Sequence, residues 1–164
     1  MKPSTVAFIV AGLYILFKMA LYIAGVQYEV MIGKTAIILI ALVMVGVFYS
    51  INYYMRTSET YDWMAAFKKG ITVSLIASVV TGIFLFIYYK AIDPFYLEQL
   101  SINEYNRMKG LITADKMDEY TKSLKSRYTA SLFGTFTTAL VNIIGLISSL
   151  IVAFLGRMTV KKRA

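Results

Sequence analysis

Four long apolar runs, parted by short polar segments, dominate the chain. They cover residues 4–26, 35–54, 70–90 and 130–155. A hydrocarbon layer about 30 Å thick needs roughly 20 apolar residues in a helix. Each run meets that length. Inside lipid a helix also satisfies its own backbone hydrogen bonds, so the pattern predicts four transmembrane helices. The second run ends in Tyr49, Tyr53 and Tyr54, an aromatic belt closed by Arg56. From Arg56 to Lys69 the pattern turns amphipathic. Thr60 is the expected N-cap of a helix starting near Tyr61 and running into the third span. Trp63, the single tryptophan, is the expected interfacial anchor because its ring suits the headgroup level.

Residues 93–128 are polar overall but keep a helical period. Asp93 reads as an N-cap with Pro94 at the first helical position, and Gly110 as the end of that helix. Thr113 opens the next helix, with Ile112 and Met117 placed for a hydrophobic staple and Asp118 four residues before Lys122. Met117, Tyr120, Leu124 and Tyr128 recur along one face. No glycine or proline follows until Gly134, so this helix is expected to flow unbroken into the fourth span. About 40 residues would then make a rod of about 60 Å. The fold class is therefore all-α: a single membrane domain over 1–164, a four-transmembrane-helix bundle with an extramembrane helical hairpin between spans three and four.

Composition sharpens the picture. Hydrophobic residues make up 59% and charged residues 16%, with a mean hydropathy of +0.66. A soluble domain is nearer 45–50% apolar and about 25% charged, so lipid is the solvent that accounts for the excess. The net charge of +8 does not indicate a nucleic-acid partner. Outside the long loop the lysines and arginines sit at span ends and in a short tail, and no basic helix or aromatic platform for bases is present. The chain has neither cysteine nor histidine, which excludes disulfides, Cys/His zinc sites and haem ligation by those residues. The first run is not read as a signal peptide, whose apolar region is about 7–15 residues and would not hold Lys18.

Four spans put both termini on one side. Lysine and arginine divide about eight to each side, so their distribution decides. On the terminal side they lie in short segments close to the membrane, where they count most; on the other, most lie in the long loop. Both termini are expected in the cytoplasm, with the hairpin outside.

Lys18 is the one ionisable residue deep in a span, flanked by Tyr14 and Tyr22 at i−4 and i+4. An intramembrane charge is costly and raises a functional hypothesis. One reading is structural: the stem snorkels or pairs within the bundle. The other is contact with an anionic ligand such as a lipid phosphate. Asn142, near the middle of span four, is expected to hydrogen-bond a neighbouring helix or to share a polar cavity with Lys18. Gly70, Ser74, Ser78 and Gly82, four apart, form a small-residue stripe on span three. Gly46 and Ser50 on span two, and Gly145 and Ser149 on span four, offer similar packing positions. These residues pack the protein's own bundle or dock a second copy or partner.

The spans hold no Asp, Glu or His, so acid–base catalysis and proton-coupled transport lack their usual groups. No phosphate-binding glycine loop is present. Neither a cofactor nor a metal site is expected, and the protein is not expected to be an enzyme.

The segments YDWMAAFKKG (Tyr61–Gly70) and IYYKAIDPFYLEQ (Ile87–Gln99) resemble the small four-span membrane proteins of Bacteroidota catalogued as domain of unknown function 4199. In that family an aromatic, Phe-Lys-Gly lead-in to span three is followed by an Ile-Asp-Pro exit, a charged helical stretch and span four. The resemblance implies a Gram-negative inner-membrane location and brings no activity or catalytic residues. The expected function is a non-enzymatic accessory that binds membrane lipids and a membrane-protein partner or a second copy of itself. The alternative is a lipid- or polyprenyl-phosphate-binding accessory or small carrier with Lys18 as anion contact.

Overall fold

The structure is a computed structural model that describes residues 1–28, 32–109, 111 and 113–161, without the side chains of 32–34, 114, 115, 117 and 159–161. The described residues form six α-helices: α1 (Pro3–Ile23), α2 (Ile32–Thr57), α3 (Trp63–Ile87), α4 (Phe95–Met108), α5 (Ala114–Arg127) and α6 (Ala130–Lys161). A π-helical turn, Tyr88–Ile92, follows α3. Among the described residues, four stretches are long and apolar enough to cross a membrane: Pro3–Ile23, Thr35–Thr57, Trp63–Ile92 and Ala130–Met158. The chain divides into two compact units, one of residues 1–81 with 137–164 and one of 82–136.

In the first unit α1 turns one stripe inward. Val6, Ala7, Val10, Ala11, Tyr14 and Lys18 are buried at helical spacing, while Phe8, Leu13, Leu16 and Ile23 are exposed on other faces. On α2 the fully buried Leu39, Val43, Val47 and Ile51 recur every fourth residue. Gly46 lets α1 and α3 approach: a Cβ there would lie 2.8 Å from Val10 and 3.2 Å from Val73.

The seam between α3 and α6 is made of small residues. A Cβ on Gly70 would lie 2.5 Å from the Ser149 hydroxyl, and one on Gly145 would collide with the Ser74 side chain. Next along the seam, Ser78 Oγ lies 2.9 Å from Asn142 Oδ1, and Thr138 Oγ1 donates to the Ser78 carbonyl at 3.3 Å. The register is antiparallel, rising along α3 as it falls along α6. Backbone proximity of this kind is the means by which helices associate where lipid removes any hydrophobic drive.

The cap of α3 differs from expectation. Asp62, not Thr60, supplies it: its carboxylate accepts the Met64 amide at 2.9 Å, and the helix starts at Trp63. An aspartate is a stronger N-cap than a threonine, and its charge also suits the helix dipole. Just before it, the Tyr61 hydroxyl donates to the Ala153 carbonyl of α6, and Gly156 makes room for that ring. Burial, helped by Tyr54 and Asp62 nearby, raises the Tyr61 pKa above its ordinary value, so the phenol stays a donor.

In the second unit α3 widens into the π turn, closed by the Asp93 amide donating to the Tyr88 carbonyl at 2.8 Å. Asp93 does not N-cap the following helix as expected. Its φ of −135° and ψ of 71° lie outside the helical region, as a residue before proline requires, and Pro94 takes the cap position. The Asp93 carboxylate is buried with the Tyr88 hydroxyl 3.5 Å away.

The expected 40-residue rod is also corrected. Helix α5 stops at Arg127; Tyr128 leaves helical geometry at φ −93° and ψ 64°, and α6 starts at Ala130. Thr129 explains the break without glycine or proline, because its hydroxyl accepts the Leu132 amide at 3.3 Å and so caps a new helix. Among the described residues of α4 and α5, Arg107–Glu104 at 3.0 Å is the ion pair, not Asp118–Lys122. The Gly110 helix end, the Ile112–Met117 staple and the basic tail from Lys161 lie outside the described residues or side chains.

Candidate functional site

Within the second unit a cleft of about 620 Å³ opens between the π turn, α4, α5 and the start of α6. Its floor follows from the π turn. The wider turn brings the consecutive Tyr88 and Tyr89 both into the interior, where they are 0% and 5% exposed. Their rings meet edge to face at 5.2 Å, and Tyr89 stacks on Tyr96 of α4 at 5.4 Å. Phe133 of α6 packs edge-on to Tyr89 at 5.9 Å and beside Tyr128 at 5.7 Å. Such pairings hold ring positions more tightly than aliphatic contacts do. π turns are rare and concentrate at functional sites.

The walls are mixed. Leu97 and Ile102 of α4 and Leu124 of α5 are apolar; Tyr105 and Tyr128 present phenols; Lys90, Lys125 and Glu98 bring charge to the lining. Burial, with Glu104 next in effect, pushes the Tyr128 phenol above its ordinary pKa, so it remains a neutral donor at physiological pH. The volume lies in the range of small-molecule and side-chain pockets, about 300–1,000 Å³. What this arrangement offers is apolar burial with a few hydrogen bonds and two ammonium groups. Among the described residues no three acidic side chains gather as a metal site.

The residues singled out from sequence fall elsewhere. Lys18 is 1% exposed on the inward stripe of α1, one turn from the equally buried Tyr14. Asn142 belongs to the α3–α6 seam with Ser78, and Ser74, Gly70, Gly145 and Ser149 line the same seam. Ser50 is buried on α2. Gly82 meets Gly134 in the second unit, where a Cβ on Gly134 would lie 3.0 Å from the Gly82 carbonyl. The stripe thus packs this chain's own helices. Trp63 sits at the first turn of α3 with its ring 6.4 Å from that of Phe67.

The helical period places Leu124 and Tyr128 on one face, and nothing in it brings Leu97, Tyr105, Tyr89, Lys90 or Lys125 to them. The available signal was aromatic density: Tyr88, Tyr89, Phe95 and Tyr96 bracket Asp93-Pro94.

Residues 5–157 match a protein family described as "Protein of unknown function (DUF4199)". No curated protein and no solved structure matches the chain.

Proposed function

The chain belongs to the DUF4199 family, and from that premise we propose that it is a non-enzymatic component of a Gram-negative inner membrane that binds a partner protein through its hairpin cleft. The observation that carries this reading is the cleft itself: Tyr89, held by ring packing on Tyr96 and Phe133 behind it, lines the cleft with walls that combine Leu97, Ile102 and Leu124 with Lys90 and Lys125. Rigid aromatic pockets rimmed by charge are the usual seat of binding energy at interfaces. The lining suits a partner segment that inserts one apolar side chain beside an acidic group. Purification in mild detergent, with mass spectrometry of co-purifying proteins and lipids, tests it. A stoichiometric protein partner should be lost from an Ile102→Ser, Lys125→Glu variant and kept by Lys122→Glu, whose site is outside the cleft. Equal recovery from all three chains, or no partner from the wild type, refutes the reading.

Lys18 supports a second reading, an anionic-lipid or polyprenyl-phosphate accessory. It places an ammonium group at 1% exposure on a membrane-spanning helix, the kind of intramembrane charge that marks a ligand or lipid contact. Here Lys18→Met should lower by one the anionic lipids counted by native mass spectrometry on a still-folded protein. An unchanged count in that variant removes this alternative.

A further inference from the structure

The first unit carries a second cavity, on the side of the chain termini and apart from both readings above. A half-open space of about 380 Å³ lies between the start of α1, the end of α2 and the second turn of α3. Lys2 and Lys69 bring two ammonium groups to it, and Ser50, Tyr53, Tyr54 and Thr57 supply hydroxyls. Its lining residues include no carboxylate. The cavity lies at the level of the aromatic belt, where headgroups sit.

A separate groove of about 290 Å³ runs between α1 and α2. Its lining is apolar, with Ile9, Leu13, Leu42 and Val45 as walls and Gly46 opening the middle. The two spaces meet at Met1, which lines both, and at the stacked pair Tyr49 and Tyr53, one ring belonging to each. A basic, hydroxyl-rich chamber at headgroup depth thus abuts an apolar channel leading along the span.

We propose that this composite site binds an anionic phospholipid, with its phosphate between Lys2 and Lys69 and one acyl chain in the α1–α2 groove. Both halves are needed for that occupant. A free phosphate would use the chamber alone, and a neutral lipid would use the groove alone. Lysine is suited to the first task as a compact cationic donor on a stem that lies along apolar surface.

The full chain, purified in detergent, is titrated with phosphatidylglycerol or phosphatidylcholine and bound lipid is counted by native mass spectrometry. Phosphatidylglycerol should bind more tightly. Lys2→Gln with Lys69→Gln should weaken it roughly thirtyfold, from two surface lysines acting on one lipid charge. Lys68→Gln, an exposed neighbour outside the cavity, should leave it unchanged. Val45→Trp, filling the groove, should weaken both lipids. Equal affinity for the two lipids overturns the proposal, as does an equal loss in Lys68→Gln. So does displacement of the lipid by glycerol 3-phosphate at matching concentration, which would make free phosphate the ligand. The hairpin cleft is untouched by these variants, so partner recovery through it is unaffected by either result.

Discussion

At the scale of single residues, the seam between α3 and α6 shows why small side chains outweigh long ones here. Gly145 faces the Ser74 Cβ and α-carbon rather than the free end of a flexible chain. Nothing nearby can rotate away to admit a larger side chain. Gly145→Leu should therefore cost at least about 1–3 kcal/mol, as core overpacking does. Gly12, with nothing within 4 Å of its virtual Cβ, should accept leucine with little change; thermal unfolding in detergent compares the two. Ser78 makes a further point. Its hydroxyl has one proton, yet both the Leu75 carbonyl at 2.9 Å and Asn142 Oδ1 at 2.9 Å are in range. Both contacts are satisfied if the Asn142 amide is turned so that its nitrogen donates to Ser78, which then donates to Leu75. Tyr128 yields a pH prediction. Its pKa is raised above the ordinary 10.0, so folding favours the protonated phenol. That stability is fully present below the unfolded pKa and is lost as pH rises through the folded value. Tyr128→Phe should remove one phenol from the part of the phenolate titration above the ordinary tyrosine value and blunt alkaline unfolding. An unchanged titration curve would contradict the assignment.

At the scale of elements, the long helices were legible because twenty-odd apolar residues leave few alternatives. Their interruptions were not. The break at Tyr128 carries no glycine or proline, and what ends α5 is a competition that Thr129 wins by capping α6. Threonine is an acceptable cap by identity, but no glycine, proline or break in the sequence pattern marks Thr129 as one. Thr129→Ala should destabilise the first turn of α6 by about 1 kcal/mol, visible as faster hydrogen exchange at the amides of Leu132 and Phe133. The π turn was equally hidden. Its only trace was the Tyr88-Tyr89 pair, which an ordinary helix would send in directions 100° apart. The cleft depends on that turn, so the candidate site was less readable than the spans that flank it. The choice of Asp62 over Thr60 as the cap of α3 was within reach, since both precede the apolar run and aspartate ranks higher.

At the scale of the molecule, orientation follows from charge near membrane ends. Arg56, Lys68, Lys69 and Arg157 lie close to the span ends on the side of the termini, whereas most basic residues of the other side belong to α4 and α5 and their connections. Cytoplasmic termini are therefore the expectation. The chain contains no cysteine, which makes the check direct. In intact cells an impermeant maleimide should label Ser123→Cys on α5 and spare Ser58→Cys after α2. The reverse pattern would invert the protein in the bilayer and place the hairpin cleft before cytoplasmic partners.

The α3–α6 seam also bears on permeation. An ion shedding its water needs a file of oxygens turned toward a shared axis. The Ser74 hydroxyl is committed to the Ile71 carbonyl, Thr81 to Ala77 and Ser149 to Gly145, each within its own helix. With these hydroxyls turned back onto their own helices and the backbones pressed together between them, the seam closes by contact and offers no open file of such groups to a passing ion.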